Sequence, residues 1–186
     1  MGPHIKTASG RRWFLLNPDP NDVAIEDIAH ALSNICRFNG HSSRFYSVAQ
    51  HSVLVQWEVK AKGGGYIEQM WALLHDASEA YLGDVTGPLK RTPLMAAYRD
   101  LESETMAAIC YAFHIPWHEP PIVKEADQAL LAAEQAQLTP PWIDGAERTN
   151  CDAQGEPADI EIQRWSQNRS EGAFLNAYHR TLKEKP

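Results

Sequence analysis

The chain is poor in cysteine, in long apolar runs and in positive charge. Its three cysteines, Cys36, Cys110 and Cys151, are widely spaced and form no CxxC pair. Neither a cysteine-built zinc site nor a disulfide framework is expected, and a reducing cytoplasm is the expected setting. The longest apolar stretches, such as Ile109-Cys110-Tyr111-Ala112-Phe113, fall far short of the ~20 residues that a membrane span requires. The mean hydropathy of −0.43 agrees with that reading. The opening Met1-Gly2-Pro3-His4-Ile5-Lys6 lacks the apolar centre of a secretory leader. Lys and Arg number 17 against 24 Asp and Glu, a net charge of −7. A surface of that sign argues against duplex nucleic acid as the main partner. A small phosphorylated ligand stays open, because it needs only a few local cations.

What is present suits a folded chain. Hydrophobic residues make up 44% and charged residues 22%, near the averages of globular proteins. The length of 186 residues fits a single domain over residues 1–186. Ile5 and Thr7, then Trp13 and Leu15, alternate around Ala8-Ser9-Gly10-Arg11, the pattern of a short N-terminal β-hairpin. From there the periodicity is helical. Ile25, Ile28, Ala29, Leu32 and Ile35 mark a helix over residues 25–36. Val48, His51, Ser52, Val55 and Val59 mark a second, closed by Gly63-Gly64-Gly65. Ile67, Met70, Trp71, Leu74 and Tyr81 mark a third that runs to Gly83. Thr92-Pro93 opens a fourth, with Tyr98, Leu101, Ala108 and Ile109 on one side. Pro120-Pro121 opens a fifth, with Val123, Ala126, Leu130 and Leu131 inward. Residues 139–158 read as a long polar loop, and a last helix over about 170–184 carries Phe174, Leu175, Tyr178 and Leu182. Trp57, Trp71 and Trp165 are expected in the core. The expected fold is all-α, a helical bundle with a short N-terminal hairpin.

Three of these apolar stripes carry polar intruders. His51 shares a side with Val48 and Val55; His75 and Asp76 lie beside Trp71 and Leu74; Asp127 lies one turn from both Val123 and Leu130. A lone histidine on such a face is most often a hydrogen-bonded core residue. An HD dipeptide arises by chance, and Asp127 alone reads equally well as a salt-bridge partner of Lys124 or Arg99. Taken together the four point elsewhere, because a buried carboxylate must be paired or must coordinate a metal. Two imidazoles and two carboxylates suit Mn, Fe, Co, Ni or Zn better than Ca or Mg. No single helix supplies the set.

The ordered set His51…His75-Asp76…Asp127 resembles the metal signature of the HD-domain phosphohydrolases. The likeness extends to Arg37-Phe38, to Tyr46-Ser47-Val48-Ala49-Gln50-His51-Ser52, and to Leu73-Leu74-His75-Asp76-Ala77-Ser78-Glu79-Ala80-Tyr81. These stretches resemble the subgroup that contains the bacterial HD-type 5'-deoxynucleotidases and the bacteriophage dATP triphosphohydrolases. Asp84…Pro88-Leu89-Lys90 and Lys124-x-x-Asp127 fit it too, so the resemblance covers roughly residues 5–135, with the motifs carried within about 22–135. It implies an HD-domain bundle in which His51, His75, Asp76 and Asp127 hold one divalent transition metal. Glu79, one turn after His75, then positions or deprotonates the attacking water, and Asp84 assists as acid, base or orienting group. Arg37, Lys90 and Lys124 meet phosphate oxygens, with Mg an added companion of the substrate phosphates, and Phe38 contacts sugar or base. One dinuclear variant of the family uses extra histidines, and His114 and His118 fall in the matching interval. Assembly from identical chains is also implied.

The implied reaction is attack of a metal-activated water on the α-phosphorus of a deoxynucleotide. A triphosphohydrolase and a 5'-monophosphatase break the same bond; room and positive charge beyond the α-phosphate separate them. Lys90, Arg91 and Lys124 incline the expectation to a dNTP, dATP in particular, with the monophosphatase as the alternative. Another nucleotide as substrate, or a non-catalytic nucleotide-binding module, are the remaining alternatives.

Overall fold

A computed structural model describes residues 2–141, 143 and 156–186. The fold is all-α with one two-stranded antiparallel hairpin. Strands β1 (His4–Lys6) and β2 (Arg12–Phe14) pair in the register Ile5 with Trp13. The hairpin is pinned to α1 (Ile25–Asn34): the Ser9 amide and hydroxyl both donate to the Asp27 carboxylate, at 2.6 and 2.7 Å. Trp13, fully buried, stacks on Tyr81 with ring centroids 4.0 Å apart.

Helix α2 (Val48–Ala61) is the centre of the bundle. Its N-cap Ser47 accepts from the Gln50 amide, satisfying a donor that a helix start otherwise leaves free. It packs against α1, α3 (Tyr66–Leu74), α7 (Pro121–Leu138) and α8 (Gln167–Leu182). A helix surrounded this way is apolar on most sides, and Val48, Val53, Leu54, Val55 and Val59 are all buried. Between α3 and α7 the chain forms two one-turn helices, α4 (Glu79–Leu82) and α5 (Gly87–Lys90), and the long α6 (Ala96–Ala112).

Most expected elements form where the periodicity places them, with four differences. The third helix is not continuous to Gly83: α3 ends at Leu74, and residues 75–78 tighten through bonds three residues apart, Ala77 amide to Leu74 carbonyl and Glu79 amide to Asp76 carbonyl. Helix α6 starts at Ala96, after a 3-10 turn over Pro93–Met95. Helix α8 starts at Gln167, capped by Ser166, and its inward face is Ser170, Phe174, Ala177 and Thr181; Leu182 is exposed. Gln56 holds that face by donating to the Thr181 hydroxyl at 2.8 Å. Trp71 and Trp165 are buried as expected, but Trp57 stands half exposed, its ring edge against Trp165. The expected polar loop over 139–158 lies largely outside the described residues. Among the described residues no helix is long and apolar enough to cross a membrane.

The hairpin pin gives a stability test. Asp27→Ala removes both acceptors of Ser9 and is expected to lower unfolding free energy by about 1–3 kcal/mol, read by urea denaturation. An unchanged midpoint would show that the hairpin is not held there.

Candidate metal centre

The four intruding side chains converge. Nε2 of His51, from the second turn of α2, lies 3.2 Å from Nε2 of His75, at the C-terminal end of α3. It lies 3.2 Å from Oδ1 of Asp127 on α7 and 3.7 Å from Oδ2 of Asp76. His75 Nε2 lies 3.4 Å from the same Asp76 oxygen and 4.0 Å from the Asp127 oxygen. Ligands bound at ~2.1 Å to one ion stand ~3.0–3.4 Å apart at neighbouring positions. The group His51, His75 and Asp76 can hold a metal ion, and Asp127 borders it.

The donor chemistry supports the same conclusion. His75 Nδ1 lies 2.8 Å from the Ala72 carbonyl, which can only accept. Nδ1 therefore carries the proton, and in the neutral ring Nε2 is a lone pair. His51 Nδ1 lies 2.6 Å from Oε1 of Glu134, which likewise fixes the proton on Nδ1. Two lone pairs thus face each other across 3.2 Å, with carboxylates alongside. A cation, or added protons, suits that centre. Without a metal, protons take the role. Burial opposes charge on His75, but Asp76 and Asp127 outweigh it and push its pKa up to about 10. Burial opposes ionisation of Asp76 and Asp127 as well, and the two imidazoles hold both carboxylates below the usual range.

Glu134, two turns beyond Asp127 on α7, was not singled out from the sequence. It is fully buried and serves three donors: His51 Nδ1, the Tyr46 hydroxyl at 2.7 Å and an Arg37 nitrogen at 3.1 Å. Burial opposes its charge, and Arg37 and His51 overcome that to keep it ionised. The signal was available, because Glu134 interrupts the same apolar face as Asp127. Arg37 is occupied by carboxylates, Glu134 on one side and Asp76 at 3.3 Å on the other. Phe38 adopts a left-handed backbone (φ 56°) and packs partly buried on the core, the Arg37 guanidinium 5.7 Å from its ring centre.

Glu79 reaches the site by a route the continuous helix did not give. In the tightened turn, residues three apart stand above one another, so Glu79 belongs over Asp76. It is buried; Oε1 accepts from Lys90 Nζ at 3.3 Å, and Oε2 has no hydrogen-bond partner among the described residues. Burial, then Asp76 and Asp84, hold its carboxyl well above the usual range. Asp84, past the left-handed Gly83, is raised chiefly by burial. Lys90 is shared between Glu79 and Glu102, the latter at 2.6 Å.

A cavity of about 560 Å³ opens over the centre. Its lining includes His75, Asp76 and Asp127 of the centre, the charged Lys90, Arg99 and Glu102, and Trp117, His118 and Glu119 from the loop before α7. Lys124 is exposed on α7 and is not among the lining residues, and neither is His114.

Carboxylates that orient a ligating histidine typically contribute ten- to a hundredfold to metal affinity. Glu134→Gln is therefore expected to weaken divalent-metal affinity by about 10–100-fold, measured by competition with a chromogenic chelator. Unchanged affinity would remove Glu134 from the site.

No family model matches the chain. The uncharacterized protein YfdR of Escherichia coli (strain K12) is 42% identical over 134 residues, which are 72% of this chain and 71% of that protein. The uncharacterized protein RCAP_rcc00048 of Rhodobacter capsulatus is 42% identical over 126 residues, 65% of this chain and 63% of that protein. By that identity over most of both lengths, the chain belongs to the family of Escherichia coli YfdR.

Proposed function

We propose that this protein is an HD-domain metal-dependent phosphohydrolase that cleaves the 5' phosphoester of a deoxynucleotide. The observation that carries the reading is a two-histidine, two-carboxylate centre bordering an open cavity, with the buried Glu79 three residues after Asp76 and one of its oxygens without a hydrogen-bond partner among the described residues. A structural metal site has no use for a proton-carrying group beside it. Two imidazoles with carboxylate oxygens favour Co, Mn, Zn, Ni or Fe. An ion held there supplies charge for a phosphoryl oxygen and lowers the pKa of a water from 15.7 towards about 7.

The chain's own groups do the rest. Hydrolysis forms a bond from water oxygen to phosphorus as the bond to O5' breaks; one proton leaves the water and one reaches O5'. Glu79 Oε2 is the group free to carry a proton, and Asp84 is a second carboxyl raised in pKa on the same side. Lys90 steadies Glu79 through Oε1. Arg37 sets Asp76 by its ion pair and ties it to Glu134.

Of the two deoxynucleotide readings, the arrangement favours the monophosphate. The cations that would meet a β- or γ-phosphate are committed or displaced: Lys90 lies between two glutamates, and Arg91 and Lys124 do not line the cavity. Arg99 lines it but donates to the backbone carbonyls of Lys90 and Thr92. A tetra-anion would face Asp76, Glu102, Glu119 and Asp127 with little free positive charge.

Metal-loaded protein is expected to release orthophosphate from dAMP faster than triphosphate from dATP, followed by chromatography of the products. Triphosphate from dATP with dAMP untouched would restore the triphosphohydrolase reading, and no turnover of any nucleotide would end the phosphohydrolase one. Glu79→Gln is expected to lower kcat by about 10²–10⁴-fold at unchanged metal content; full activity would contradict its role.

A further inference from the structure

The cavity lining combines charged side chains, Lys90, Arg99 and Glu102, with the larger apolar ones Trp71, Met106 and Trp117. Trp117 is 55% exposed although it lines the cavity. Trp117 sits on the loop between α6 and α7. Helix α6 ends at Ala112, His114 beyond it is left-handed (φ 54°), and Ile115 is buried. The buried Trp71 donates from its indole nitrogen to the Pro116 carbonyl at 2.9 Å, and the His118 amide donates to the same oxygen at 2.9 Å. Pro116, Pro120 and Pro121 restrict the backbone on both sides. These bonds set the backbone on either side of Trp117, which lines the same cavity as His75, Asp76 and Asp127. Phe38, in contrast, is not among the cavity-lining residues.

We infer that Trp117 is the stacking platform for the planar base of the nucleotide, and that it makes the site select phosphoesters bearing a heterocycle over bare sugar phosphates. The inference rests on the nucleotide phosphohydrolase reading. Stacking on an aromatic side chain suits every base, because each presents a flat π-face. Trp117 therefore favours nucleotides as a class without choosing among bases. A loop backbone already tied to Trp71 loses little conformational freedom on binding, so more of the stacking contribution is realised as affinity.

The test uses the full-length, metal-loaded protein and two probes that cannot be hydrolysed: the 5'-methylenephosphonate analogue of deoxyadenosine, and methylphosphonate, which has no ring. Affinities are measured by calorimetry, directly or in competition, for wild type, Trp117→Ala and Trp117→Phe. Trp117→Ala is expected to weaken the nucleoside probe at least about fivefold relative to methylphosphonate, and Trp117→Phe to restore most of that ratio. Equal weakening of both probes would show a structural role and overturn the inference, as would no change in either. If the nucleoside probe depends on Trp117 but no nucleotide is hydrolysed, the platform stands and the activity falls. If dAMP is hydrolysed and the ratio ignores Trp117, the activity stands and the platform falls.

Discussion

Two imidazole nitrogens 3.2 Å apart, each turned to the centre because the other nitrogen of its ring is bonded on the far side, set the terms for this molecule. Glu134 fixes the tautomer of His51 and the Ala72 carbonyl fixes that of His75. Such a pair repels unless positive charge lies between, and Asp76 and Asp127 bring negative charge to the same point. The bundle thus gathers groups that call for positive charge at a point bordering an open cavity. The cost is contained because every participant is compensated in turn: Glu134 by Arg37 and Tyr46, Arg37 by Asp76. Removing one partner from such a network leaves a buried charge exposed to its full desolvation penalty.

The architecture serves that demand. Helix α2 brings His51 to the centre of the bundle, where packing on several sides excludes solvent. Helix α3 stops at Leu74, so that His75 and Asp76 leave the helix end towards His51. Helix α7 crosses behind with Asp127 and Glu134 two turns apart on one face. The hairpin secures the opposite side by stacking Trp13 on Tyr81, two residues after Glu79. Reactive groups and support therefore share the same short elements. That shared construction gives the site a definite shape before any ligand binds.

Much of this was legible in the sequence for one reason: a polar residue on an apolar helical stripe is visible as a break in periodicity. His51, His75, Asp76 and Asp127 were all found in that way. Glu134 makes the same kind of break, but its partners Arg37 and Tyr46 lie in the irregular stretch between α1 and α2, where no period exists to place them. The tightened turn after Leu74 was hidden because no glycine or proline marks it; its residues keep helical dihedrals at His75 and Ser78 while the bonding changes. Lys90 reads as a free cation in sequence, and only its placement between Glu79 and Glu102 shows otherwise. Trp117 carries no periodic signal at all, being on a loop whose position depends on a bond from Trp71.

The most direct measurement is anomalous diffraction from a crystal of the protein loaded with cobalt. The account requires a single strong peak within about 2.0–2.3 Å of His51 Nε2, His75 Nε2 and an oxygen each of Asp76 and Asp127. A peak elsewhere, or saturating cobalt with none bound among these four side chains, would contradict it.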